Sequence, residues 1–499
     1  MKIIRNAVNV ILLLAMTQGA LFGCANNGST ETTTVTETSI PESTAPTTDA
    51  DGFLLDDLPD NLNFGGRTIT ILGWDHYEDV EFYAEEQTGD IVNDAYFDRN
   101  LAIEDRLNVK LDFIIATARG GSGDNFISSV QSSVMSGSGS YDIVAAHSHR
   151  MGNIASQGLL LNLYDVDYLN FDMPWWRQSL REATTIGGVL CFATGDISVS
   201  SLSRMQGIFF NNQLIDEFGL ESPYDLVTSG EWTIDKMGEM SRGVYSDLNG
   251  NDKKDEADRF GFCSDSVQLQ AVYYTSGLRA IIHNESGQLE LSPLAVSDRS
   301  VDIIDKMCNL LHATNDNTKI QTVDDDKIFR EGRGMFYAFP LGLISSAGLR
   351  EAKFDFGFVP WPKFDISDKE YITTSSNAYS IWGIPLDAKD PDISGAVMEA
   401  MASAGYRTIT PALFETAYKV KYNNIDSQQQ SDIFDMMREN IVYDIGRIFA
   451  YDFPFLTNGF SDMIFGNKNT WISSYESNRS KLEESLKKFE ASFIENASK

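Results

Sequence analysis

Between Arg67 and Ala146 the chain alternates strand and helix patterns, and this alternation constrains its fold more than any other feature. Arg67-Thr-Ile-Thr-Ile-Leu72 interleaves polar with β-branched apolar residues and reads as a strand. Over residues 90–107, Val92, Tyr96, Ile103 and Leu107 recur at helical spacing behind the start signal Gly89-Asp90. Residues 109–115 read as a second strand and residues 126–135 as a second helix. Tyr141-Asp-Ile-Val-Ala-Ala146 reads as a third strand, short and continuously apolar as buried parallel strands are. This order predicts an α/β fold with a parallel sheet, in which ligands gather at the carboxyl ends of the strands. Gly73-Trp74-Asp75-His76 and His147-Ser148-His149-Arg150 fall there. Gly195-Asp196 follows the apolar stretch through Phe192, and Arg204 precedes the strand Ile208-Phe-Phe210. Aromatic faces stack on sugar rings while carboxylates and guanidinium groups fork onto hydroxyls, so this set suits a carbohydrate.

The amino terminus carries an address. Lys2 and Arg5 precede an apolar run that closes on Leu21-Phe22-Gly23-Cys24, which resembles the lipobox of a bacterial lipoprotein signal. That resemblance implies a signal peptide over residues 1–23, lipidation at Cys24 and attachment to the outer face of a membrane. An ordinary secreted protein with an incidental cysteine is the plainer reading. The run is shorter than the ~20 residues of a spanning helix. Twelve of the twenty residues from Ser29 to Thr48 are Ser or Thr, a composition that cannot bury enough apolar surface to fold. Residues 24–57 are therefore expected to form a flexible tether, leaving about 440 residues for two or three domain-sized units.

The formal charge of −33 sets aside nucleic acid as a partner, because the chain would be repelled by phosphates. Thirty Phe, 19 Tyr and 7 Trp supply large cores and leave aromatics for a ligand site. With Cys24 set aside, Cys191, Cys263 and Cys308 match no metal or disulfide spacing and read as buried small hydrophobes.

Two segments invite a metal. His147-Ser-His149 could ligate from one face, but no carboxylate or cysteine accompanies it at metal spacing and Arg150 disfavours a cation, so hydrogen bonding is the expected role. Asp247-Leu-Asn-Gly-Asn-Asp-Lys-Lys-Asp-Glu-Ala-Asp258 is the better candidate. Asp247, Asn249, Asn251, Asp255 and Asp258 fall at positions 1, 3, 5, 9 and 12 of an EF-hand loop, with the Lys253 carbonyl at 7. Asp252 stands where that loop carries glycine, and Asp258 is shorter than the usual final Glu. A structural Ca2+ and a plain polar turn both fit.

The ordered set Tyr141-Asp-Ile-Val, Gly158-Leu-Leu-Leu-Asn-Leu163, Asn211, Gly230-Glu-Trp-Thr233, Phe329-Arg-Glu-Gly-Arg-Gly-Met-Phe336, Phe354-Asp-Phe-Gly-Phe-Val-Pro-Trp-Pro-Lys363 and Ile384-Pro385 resembles the extracellular solute-binding proteins of ABC importers. The likeness is to their carbohydrate-binding, maltose-binding-protein-like branch. It implies a two-lobe α/β fold of the periplasmic-binding-protein type, with a hinge and an interlobe cleft. Lobe 1 would hold residues 58–211 and 362–405, and lobe 2 residues 212–361 and 406–499. It further implies a monomer without catalytic residues, partnered by permease subunits, with a ligand set of Trp74, Asp75, His147, Ser148, His149, Arg150, Arg204 and Tyr337, to which Asp196 is added by its place after a strand. Ala146 stands where the maltose branch carries an aromatic, so the implied ligand is an oligosaccharide rather than a malto-oligosaccharide in particular.

Among the aromatics, Trp74 is the expected stacking residue, while Met335-Phe-Tyr337 could equally be a buried strand. Trp232 and Trp382 read as structural anchors, and Trp175-Trp176 as a loop closing over the core or flanking the cleft. A surface glycosidase and the receptor of a membrane sensor are the rival functions.

Overall fold

The computed structural model describes residues 47–76, 81–118, 123–319, 326–345, 349, 352–419 and 427–497. The expected signal peptide, Cys24 and most of the tether lie outside them.

The described strands are β1 (Arg67–Trp74), β2 (Val109–Ala116), β3 (Ile143–His147), β4 (Gln206–Asn211), β5 (Phe260–Ser264), β6 (Ile281–His283), β7 (Leu289–Leu291), β8 (Thr318–Lys319), β9 (Gly334–Pro340), β10 (Phe356–Pro360), β11 (Thr373–Thr374), β12 (Ser380–Gly383) and β13 (Ile441–Val442). Asp90 starts the helix Ile91–Leu107 by accepting from the Val92 and Asn93 amides, both at 3.0 Å, which satisfies donors that have no partner inside the helix. Asn108 ends it in a left-handed turn, φ 49°. β1 then pairs in parallel with both β2 and β3, and β12 closes the sheet antiparallel to β3, giving the order β12-β3-β1-β2. The expected βαβαβ unit is present, and the buried run Ile143–Ala146 occupies the sheet interior.

A second sheet has the order β10-β4-β9-β5-β8, with β4 antiparallel to both neighbours and β5 parallel to β9 and β8. Phe209, Phe329, Phe356 and Phe358 pack around it with ring centroids 4.7–6.4 Å apart. In β10, Gly357 lies opposite Phe210, where a Cβ would collide with the Phe210 ring.

The two sheets are the cores of two lobes, and three segments run side by side between them. Met205 bridges Ser375 antiparallel, the Ser376 amide donates to the Arg204 carbonyl at 2.8 Å, and β11 pairs in parallel with β13. The crossings therefore fall at Arg204–Met205, 373–376 and 441–442, differing from the expected ones near Asn211, Pro362 and Arg407. Strand pairing puts residues 206–211 in the second sheet. Lys363 stays with the second lobe, bridging Thr233 and donating its amide to the Trp232 carbonyl at 3.1 Å. The helix Ile409–Lys419 packs on Ile91–Leu107 of the first lobe. Pairings between segments this distant leave no local trace in a sequence.

Of the aromatic segment 451–471, the part from Phe455 onward packs on the second lobe: Phe455 stacks on Trp471 at 5.4 Å, and the Trp471 indole donates to the Ala295 carbonyl at 2.6 Å. Cys191, Cys263 and Cys308 are free thiols, and burial pushes the first two up to about 12.

Candidate functional site

The carboxyl ends of β1 and β3 meet the crossing segments at one place. β1 ends on Trp74, which is 1% exposed, and its indole donates to Ser380 Oγ at 2.9 Å. The imidazoles of His76 and His147 stand edge-on to the indole at 4.8 and 5.4 Å. Trp74 thus buttresses two histidines and is itself enclosed, an arrangement different from the open stacking face expected of it. His76 is held in turn by the Ala378 carbonyl at 3.0 Å.

β3 runs directly into the helix Ser148–Ser156, with His147 as its cap: Nδ1 accepts from the His149 amide at 3.2 Å. This lone-pair role sets the His147 proton on Nε2 when the ring is neutral. Ser148 Oγ donates to the Asn377 carbonyl at 2.7 Å, so its hydroxyl fastens the helix start to the segment leading into β12. His149 lies 5.0 Å from His147, ring to ring. Both imidazoles are held neutral. Burial lowers His147 well below the usual histidine range, helped by His149, Arg150, His76 and Arg204. Burial, then Arg447 and Arg150, push His149 down to about 3. A neutral imidazole both donates and accepts, which matches a hydroxyl.

Arg150 lies over the Tyr451 ring at 5.3 Å and 3.9 Å from Asp124, whose carboxylate also accepts from the Tyr451 hydroxyl at 3.3 Å. Arg204 enters from the first crossing, and Arg447 from the helix Ile445–Ile448, where its Nη1 donates to Thr374 Oγ1 at 2.9 Å. The structure therefore brings together Trp74, His147, Ser148, His149, Arg150 and Arg204. It adds His76, and also Asn377, Arg447 and Tyr451, which lay hidden because the segments carrying them are distant in sequence from β1 and β3. His76 was readable beside Trp74.

Three expected residues lie elsewhere or turn away. Asp75 accepts from the Ala118 amide at 3.0 Å and ties the end of β1 to the end of β2. Asp196 is 0% exposed, 3.1 Å from Arg438, 3.8 Å from Arg177, and accepts from Thr410 Oγ1 at 2.7 Å, so it neutralises a buried cationic cluster. Tyr337 is fully buried in mid-strand, stacked between Phe329 and Phe339 at 5.8 and 5.3 Å. Trp175 and Trp176 are also interior: their indoles donate to the two oxygens of buried Glu399 at 2.9 and 2.8 Å. Trp232 and Trp382 are buried anchors, the former donating to the Pro360 carbonyl at 2.9 Å.

In the 247–258 loop the sixth position, Asp252, adopts φ +57°, the left-handed turn an EF-hand loop assigns to glycine. The Asp247 carboxylate accepts from the Gly250 and Asp252 amides at 2.7 and 2.8 Å. Asp255 receives the side-chain amides of Asn249 and Asn251, and Asp258 receives Tyr245 Oη at 3.1 Å. The backbone fits the EF-hand pattern while the side-chain oxygens are spent within the loop. Among the described residues no three His, Cys, Asp or Glu side chains are grouped to hold a metal ion, and no helix is long and apolar enough to cross a membrane.

No family model matches the chain, and no curated protein sequence matches it. Solved structures do. A cyclic alpha-maltosyl-1,6-maltose binding protein from Arthrobacter globiformis superposes with TM-score 0.54 at 13% identity, covering 85% of this chain and 100% of that one. The GacH receptor of Streptomyces glaucescens, a structure described with acarbose, gives TM-score 0.54 at 12% identity over 85% of this chain and 99% of that one. A cyclo/maltodextrin-binding protein complexed with maltotetraose gives 0.52 at 13% identity over 86% and 97%. The chain has the two-lobe α/β fold of the periplasmic-binding-protein type. Within that class its fold is similar to those of these saccharide-binding proteins.

Proposed function

We propose that this chain is the solute-binding component of an ABC importer, capturing an oligosaccharide between its lobes and delivering it to permease subunits in the membrane. In this reading it works outside the cell as a monomer, held to the membrane by lipid at Cys24, and catalyses no reaction. The observation that carries it is the cluster of neutral imidazoles and arginines at the ends of β1 and β3, beside the segments that join the lobes. A ligand touching both lobes there favours the closed form by its extra contacts, so capture is a population shift. Glycoside cleavage needs two carboxylates free to act across one bond. The rim carboxylates are otherwise engaged, Asp75 with the Ala118 amide and Asp124 with Arg150 and Tyr451.

The test is a thermal-shift screen of the mature chain against oligosaccharides, with amino acids and peptides as comparators. A glycan at about a hundredfold excess over Kd should add about 2.7 kcal/mol of stability. Trp74→Ala should abolish the shift, because it removes the support of both His76 and His147. Release of shorter sugars during incubation would favour the glycosidase instead. For the 247–258 loop, we propose a structural Ca2+ that replaces the internal amide partners of Asp255. Chelator should lower the melting temperature of the wild type by a few degrees and calcium should restore it, with no effect in Asp255→Ala. An identical melting temperature in chelator and calcium removes the metal.

A further inference from the structure

We infer that the solute bound at this site is an acidic oligosaccharide, whose carboxylate or sulfate is received by Arg447 together with His149 and Tyr274. The inference rests on the sugar-binding reading above and names its substrate class.

Arg447 is 6% exposed, yet among the described residues no carboxylate forms an ion pair with it, and Asp444 acts on it only from farther off. Its Nε donates to Asn377 Oδ1 at 2.5 Å and its Nη1 to Thr374, both uncharged acceptors, while Nη2 is buried without a hydrogen-bond partner. Its neighbour Asp444 is occupied, accepting the Ala280 and Gly446 amides at 2.7 and 2.8 Å. The guanidinium lies over the Tyr274 ring at 5.0 Å, and the hydroxyl of that buried tyrosine also has no partner. His149 interacts with the Asn377 side chain, and its buried Nε2 makes no further well-formed hydrogen bond. A buried cation without an ion-paired carboxylate and without full hydrogen bonding is costly. Other buried arginines are provided for differently: Arg177 and Arg438 flank the Asp196 carboxylate, and Arg99 donates to Asn100 Oδ1 and to the Ile197 and Phe82 carbonyls.

Arginine donates and never accepts, and a tyrosine hydroxyl offers one donor. Two adjacent donors of this kind are matched by a group that only accepts, with two or three oxygens in a plane or fork. Carboxylate and sulfate meet that description, and charge-assisted bonds to them are roughly twice as strong as neutral ones. A neutral sugar hydroxyl would satisfy one donor but leave the cation uncompensated. Arg150 and Arg204 add positive charge to the same rim in a chain of formal charge −33, so the field there opposes that of the whole surface.

The experiment compares three ligands of one backbone on the mature chain by calorimetry: trigalacturonate, its carboxyl-reduced neutral form and a sulfated neutral form. The expected result is at least tenfold tighter binding of an acidic form, weakening as salt is raised. Carboxylate and sulfate are told apart by which of the two binds. Arg447→Gln should bring the acidic-to-neutral ratio close to one. If that buried variant does not fold by circular dichroism, the half-buried His149→Gln should lower the ratio severalfold. Equal or tighter binding of the neutral form overturns this inference and leaves the sugar-binding reading intact. Absence of binding by every glycan, with a shift from peptides or other solutes, overturns both.

Discussion

Replacing Asp196 by Ala should destabilise the fold by about 3–5 kcal/mol, the usual consequence of leaving a buried charge without its partner. The carboxylate lies 3.1 Å from Arg438 and 3.8 Å from Arg177, and is bonded to Thr410 at 2.7 Å. These groups come from the 195–196 turn, the residue preceding the helix Gln178–Thr184, and two carboxyl-terminal helices. The backbone is close as well, since a Cβ on Gly405 would strike the Asp196 carbonyl. Burial lowers the Arg177 pKa while Asp196 supports it, so without Asp196 the guanidinium must stay charged and uncompensated or find water. Denaturant unfolding should show a lower midpoint with an unchanged slope. Affinity for any glycan that the thermal-shift screen identifies, measured well below the new midpoint, should change less than threefold. A loss of affinity with stability intact would return Asp196 to the ligand set.

The second large effect is a pH dependence from Glu399. Burial pushes this carboxyl up to about 7 from 4.5, against the opposing influence of hydrogen bonds from Trp176, Asn170 and Trp175. Between those values the folded state keeps a proton that the unfolded chain has released. The stabilisation is fully present below about pH 4.5 and is lost as pH rises through about 7, on the order of 3 kcal/mol in all. Two other acids, the buried Asp444 and the half-buried Asp452, are also raised and act in the same direction. The diagnostic quantity is therefore the difference between wild type and Glu399→Gln. The variant should lose most of its deficit between pH 5 and pH 8, because its amide does not titrate and presents a second donor to an indole N–H. Unfolding followed by tryptophan fluorescence would report it directly, since Trp175 and Trp176 are the bonded groups. A deficit independent of pH would mean that Glu399 is ionised throughout.

Residues 67–147 were legible because their signals are local. Alternation in β1, the Asp90 cap and the apolar run of β3 each fit inside a dozen residues, and the loops after β1 and β3 follow from them. Trp74, His147, His149 and Arg150 were found in this way. Their arrangement was not, since Trp74 is closed off by His76, His147 and Ser380, the last some three hundred residues away. Tyr337 and Asp196 show the complementary limit. An apolar strand gives no sign of which neighbours will stack on its tyrosine, and an acid after a strand can face a ligand or two arginines. Only the partners decide, and they come from elsewhere in the chain.

By itself, then, the sequence determined the βαβαβ core of the first lobe and the two loops that lead the site. Periodicity, capping and burial act over a few residues and are written where they act. The tertiary structure alone decided where the chain crosses between lobes, which tryptophans are enclosed, and that Arg447 and Asn377 join histidines from another lobe segment. Those outcomes depend on strand pairing and desolvation between segments hundreds of residues apart, and such energies exist only once the segments are in contact.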